Sequence, residues 1–132
     1  MINHSLTFVL LRLAVGMSMF GHGFIRILKL PKFSAWMVEK FANSMLPEAL
    51  VVPFSYALPI IELVIGTLLL IGLFTRLSLL VGGLTMIALI FGSSMLEDWG
   101  AIPSQMIHTF FFAVLLSYLN YNAYSVDNAF KR

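Results

Sequence analysis

PFSYALPIIELVIGTLLLIGLF, residues 53–74, holds a single charge, Glu62. Roughly 20 mostly apolar residues suffice for a helix to cross the hydrocarbon of a bilayer, so this stretch predicts a membrane span. Three more lie around it. One covers about residues 5–28 and contains Arg12, His22 and Arg26; another covers about 77–96 and is uncharged; the last covers about 102–121 and contains His108. No strand candidate separates them. Within lipid a backbone must satisfy its own hydrogen bonds, which selects helices. The expected fold is an all-α membrane protein: one transmembrane domain, residues 1–132, built as a four-helix bundle.

Composition agrees. Of 132 residues 60% are apolar and 11% charged, with a mean hydropathy of +0.95. Soluble domains carry about 25% charged and 45–50% apolar residues, and a small one needs polar residues to cover its large relative surface. A soluble enzyme and a disordered chain are both excluded. The absence of cysteine excludes disulfides, iron–sulfur clusters and thiol catalysis in this chain. A net charge of +2 gives no electrostatic basis for nucleic-acid binding. Met1 to His4 lack the basic flank of a signal peptide, so the first span reads as a retained helix.

The connections differ in kind. Thr75-Arg76 reads as a tight turn between the second and third spans, and Glu97-Asp98-Trp99-Gly100 as a short acidic loop before the fourth. The long connection, Lys29 to Val52, has Phe33, Trp36, Met37, Phe41 and Met45 at helical spacing. That pattern predicts a short amphipathic helix in the membrane interface, with Ser34 able to cap its start and Pro47 and Pro53 bracketing the return into the membrane. The basic residues nearly balance across the two sides: Arg76, Lys131 and Arg132 against Arg26, Lys29, Lys32 and Lys40. The orientation adopted from them is cytoplasmic termini. Glycines within the spans read chiefly as packing positions.

An ionisable side chain within a span costs about 2.5–3.5 kcal/mol on insertion scales, so each needs a partner or a purpose. With a rise of about 1.5 Å per residue, His22 lies roughly 8–9 Å, His108 about 9 Å and Glu62 roughly 13 Å from the face that holds the long connection. Arg12 lies roughly 17–20 Å from it. Arg12, His22, Glu62 and His108 are therefore the expected lining of a polar intramembrane pocket. Glu62 would be paired with Arg12 or His22, and a His–Glu set could handle the protons of a quinone. The plainer reading is that these groups hold the helices together. Two histidines on separate helices also raise haem ligation, and His22, His108 and Glu62 match a metal site in ligand type. Spacing supplies the geometry of neither, and neither haem nor metal is expected. Arg26, Lys29, Lys32 and Arg76 suit a headgroup zone.

The segment Pro59 to Arg76, PIIELVIGTLLLIGLFTR, resembles the central signature of the DoxX family, in which a glutamate and glycines lead into a Gly-hydrophobic-Thr-Arg turn. Arg12, Gly16 and Gly21-His22-Gly23-Phe24-Ile25-Arg26 resemble its first-helix pattern, with Arg26 where a lysine is usual. The resemblance marks Gly16, Gly23, Arg26, Gly66, Gly72 and Arg76, with Arg12, His22 and Glu62, as motif positions; His108 is outside it. It implies a four-helix protein of a bacterial-type inner membrane, similar to the membrane subunit of a thiosulfate:quinone oxidoreductase. Three functions follow as expectations. The first is a quinone-linked redox subunit. The second is a non-catalytic anchor or assembly factor that docks a soluble redox protein through Trp36, Glu97, Asp98 and Trp99, or a homo-oligomer. The third is a small-solute transporter.

Overall fold

The computed structural model describes residues 2–131 and contains no strand among them. The helices are α1 (Ile2–Leu28), α2 (Leu30–Phe41), α3 (Glu48–Ile71), α4 (Thr75–Met95), α5 (Ile102–Ser117) and α6 (Val126–Phe130), with a 3-10 turn at Leu119–Tyr121. By length and composition α1, α3 and α4 can cross a membrane. At 16 residues α5 is shorter than the expected span 102–121. No more than 39% of any crossing segment is buried, and large apolar side chains such as Leu10, Val64, Leu84 and Phe110 point outward. An exterior of that kind requires lipid, and the protein is an integral membrane protein.

α1 and α3 run antiparallel in the most intimate contact of the fold. A Cβ at Gly23 would fall 2.8 Å from the Pro59 carbonyl oxygen, and one at Gly16 3.0 Å from Leu69 Cβ. At Gly66 it would land on the Phe20 backbone. Phe112 of α5 is buried against Gly82 of α4, and α5 also reaches α1. The main core gathers Phe8, Val15, Met19, Ile65, Leu69 and Leu79 with further residues of α4 and α5.

Several boundaries correct the sequence reading. Pro53 lies inside α3, and only Pro47 stands at its edge, as the N-cap. Prolines are tolerated within membrane helices, and α3 carries both Pro53 and Pro59 inside its length. The turn between α3 and α4 is Gly72–Phe74, with Thr75 opening α4, because Gly72 takes the left-handed conformation (φ 73°) that ends α3. A helix does occupy the long connection, but Ser34 does not cap it. Pro31 sits in its first turn, and Ser34 is buried, its hydroxyl 2.7 Å from that of Ser55 on α3.

Gly23→Val forces α1 and α3 apart and is expected to lower stability by about 1–3 kcal/mol, read as a lower unfolding midpoint in detergent. Gly21→Ala, which meets nothing within 4 Å, does not lower that midpoint.

Candidate functional site

The register of α1 on α3 decides which charges meet. Glu62 lies opposite the last turns of α1, and its Oε1 accepts from Arg26 Nη1 at 2.8 Å. Neither Arg12 nor His22 makes this bond, which corrects the expected pairing, and Arg26 is not simply a headgroup residue. The physical reason is the antiparallel register. Arg12 is 14 residues before Arg26, about 21 Å along the helix, and so arrives beside the far end of α3.

Glu62 is 3% exposed, and its Oε2 takes no hydrogen bond from the described residues. It lines a cavity of about 230 Å³ together with His22, Arg26, His108, Gln105 and the apolar side chains Met19, Met86 and Leu89. The four long helices all contribute. The structure therefore brings His22, Glu62 and His108 together, as expected, and adds Arg26 and Gln105. The imidazole rings lie 6.3 Å apart in a T-shaped arrangement. His22 Nδ1 is 2.7 Å from the Ser18 carbonyl, and His108 Nε2 is 2.8 Å from the Ser18 hydroxyl. Among the described residues no three His, Asp or Glu side chains are arranged so that they could hold a metal ion.

Arg12 belongs to a second polar cluster at the other end. Leu73 N–H donates to the Leu68 carbonyl, which leaves the Leu69 carbonyl without its helical donor. Arg12 Nε donates to that oxygen at 2.8 Å, and its Nη1 donates to Asn122 Oδ1 at 2.7 Å. Asn122 Nδ2 in turn donates to Thr75 Oγ1 at 3.1 Å. The Asp127 carboxylate accepts from the Phe74 and Thr75 amides, each at 2.8 Å, and closes the N-terminus of α4. A cation at the end of α3 and an anion at the start of α4 both suit the helix dipoles. Arg12 is thus a brace of the α3–α4 turn, not part of the cavity.

Residues 7–95 match the family model described as DoxX. The chain belongs to the DoxX family. No curated protein and no solved structure matches it. The DoxX match spans α1 to α4, so His22, Arg26 and Glu62 fall within it, while His108, Gln105, Asn122 and Asp127 lie beyond it. Gln105 had a signal in the sequence, a polar residue one turn before His108 on a shared helix face. Asn122 and Asp127 had none, since their partners are backbone groups and side chains distant in sequence. Of the expected docking residues, Trp36 and Trp99 are exposed. Asp98 pairs with Lys40 at 3.1 Å, and Lys40 also lies over the Trp36 ring. Glu97 and Arg76 are exposed.

Arg26→Met in this DoxX chain leaves a buried carboxylate unpaired and is expected to cost about 3–5 kcal/mol; Arg26→Met with Glu62→Met together recovers most of it, which a double-mutant cycle of unfolding measures. At Asp127 burial acts to raise the carboxyl, but hydrogen bonds from Thr75 and Phe74 and the Lys131 charge outweigh it and hold the group below the usual carboxylate range. A folded value below the unfolded one, about 3.9, stabilises the protein at higher pH and is lost as pH falls through the folded value. Stability is expected to drop below about pH 4, and Asp127→Asn removes that part of the drop.

Proposed function

We propose that this DoxX protein is a quinone-binding membrane subunit of a redox system, held in an inner membrane with cytoplasmic termini. In this reading α5 continues through the 3-10 turn to Tyr121 and makes the fourth crossing of a four-helix transmembrane bundle. The observation that carries the proposal is Glu62. A carboxylate is buried at bilayer depth with one oxygen on Arg26, and its other oxygen is left for whatever fills a cavity shared with two histidines. Ionisable groups at that depth mark functional sites by default.

The cavity fits a quinone ring in kind. Its walls combine Met19, Met86 and Leu89 with a few convergent polar groups, the usual make-up of a small-molecule site. At about 230 Å³ it is smaller than the roughly 300–1,000 Å³ of whole-ligand pockets, which suits a headgroup whose chain runs out into lipid. A bound quinone supplies two-electron, two-proton chemistry. The chain's own residues orient the ring and hold protons, with His22 Nε2 and Glu62 Oε2 as the groups open to it. The chain has no cysteine, so its electrons come from a partner, which makes it a subunit. Trp36, Trp99, Glu97 and Asp98 at the same end of the bundle offer that partner a surface. A non-catalytic anchor would use the same surface without the cavity.

The test is direct binding of tetramethylbenzoquinone and of its hydroquinone to protein in lipid nanodiscs, with either form counting. Native protein is expected to bind one of them, and Glu62→Gln to weaken that binding about tenfold or more while remaining folded by circular dichroism. Binding of neither form, or no change in the variant, sinks the proposal.

A further inference from the structure

A second hollow, of about 350 Å³, lies at the corner between α1 and α2. Ile25 and Arg26 reach it from the last turn of α1, Lys29 from the joint, and Lys32, Phe33 and Trp36 from the first turns of α2. The corner exists because α1 ends at Leu28 and Pro31 sits in the first turn of α2. It gathers three cations between residues 26 and 32, and no carboxylate lines the hollow.

The protein leaves most of that charge unanswered. Lys29 and Lys32 are exposed and form no ion pair among the described residues. Glu39, the acid of α2, lies about two turns beyond Lys32. Arg26 gives an N–H on Nη1 to Glu62, and its guanidinium lies over the Phe33 ring at 4.7 Å. A guanidinium has five N–H donors in a fixed fork, so Arg26 keeps others for a ligand. Held by Glu62 and Phe33, it loses little freedom when one binds. The C-terminus of α1 and the N-terminus of α2 meet here with dipole ends of opposite sign, which leaves the side chains to set the field.

Beside the cations the surface is apolar. Ile25, Leu28 and Trp36 are exposed, and the rings of Phe33 and Trp36 stack with centroids 5.9 Å apart. Because α1 crosses the membrane and ends at Leu28, the corner stands where hydrocarbon gives way to headgroups, the level at which Trp side chains settle. A ligand that answers both surfaces carries anionic oxygens and an apolar chain on one molecule.

We propose that this hollow binds the phosphodiester of an anionic phospholipid whose headgroup has no amine. Lys29, Lys32 and the N–H groups of Arg26 not given to Glu62 take the phosphate oxygens. The glycerol and the first chain carbons lie along Phe33 and Trp36. A zwitterionic headgroup would bring an ammonium into a corner that already holds three cations. Near an anionic lipid surface each Lys or Arg is worth about fivefold in binding. The site requires only that α1 crosses the bilayer, whatever fills the Glu62 cavity.

Trp36 reports on the hollow. Of the two tryptophans Trp99 is exposed, and Trp99→Phe leaves Trp36 as the single indole. That protein is placed in phosphatidylcholine bilayers with a fixed share of brominated-chain phosphatidylglycerol or, in parallel, of brominated-chain phosphatidylcholine. Quenching of Trp36 then gives the relative affinity of the two headgroups beside it. Phosphatidylglycerol is expected to be favoured about fivefold or more. Lys29→Gln with Lys32→Gln, folded by circular dichroism, brings the preference to within about twofold of parity. Arg76→Gln with Lys131→Gln removes the same charge from the other end of the bundle and leaves the preference as it was. Inorganic phosphate, compared with chloride at equal ionic strength, does not relieve the quenching. Equal affinity for the two lipids overturns the proposal, and so does a preference that survives in the Lys29 and Lys32 variant. Equal loss in the Arg76 and Lys131 variant would mean diffuse attraction in place of a site. Relief by inorganic phosphate would make the hollow a site for a soluble anion, and either result also overturns the proposal.

Discussion

Three glycines, Gly16, Gly23 and Gly66, bring the backbones of α1 and α3 into contact, and the rest of the structure depends on that approach. In lipid, apolar burial does not drive helices together, so packing and interhelical hydrogen bonds must do it. Backbone contact fixes the register of the two helices. The register in turn places Arg26 on Glu62 at one end and Arg12 on the buried Leu69 carbonyl, left without its helical donor, at the other. Two cations of one helix, read from sequence as a pocket residue (Arg12) and a headgroup residue (Arg26), thereby take other places: Arg26 meets the cavity carboxylate and Arg12 braces the far turn.

The fold was legible where the solvent decided it. A chain with so few charges and long apolar runs has lipid as its solvent, and the helices and most of their order follow. Their edges followed less well. Pro53 reads as a boundary because proline breaks helices in water, whereas in the structure it is carried inside α3 near its start. The α3–α4 turn falls at Gly72, where backbone conformation outweighs the polar pair Thr75-Arg76 as a marker. The helix of the long connection was visible in its apolar spacing, and its actual start was set by Pro31.

Three of the four expected cavity residues meet because their depths agree, and depth is a linear quantity that a sequence carries. Which cation would face Glu62 depends on how α1 slides and turns against α3, and single-helix arithmetic does not contain that. The cavity that results holds one ion pair, Arg26 with Glu62, beside two histidines.

The brace around Arg12 has a temporal side. Its contacts span 57 residues to Leu69 and 110 to Asn122. At ribosomal speeds of about 5–20 residues per second, Asn122 is made about 5–20 s after Arg12 has been synthesised and α1 is ready to enter the bilayer. Its α3 carbonyl is made about 3–11 s after it and its amide later still, and until they arrive the guanidinium must be kept by water, headgroups or the insertion machinery. The α3–α4 hairpin likewise waits for Asp127. Assembly of this bundle is completed from its C-terminal segment backward, so that the first helix made is among the last to find its final partners.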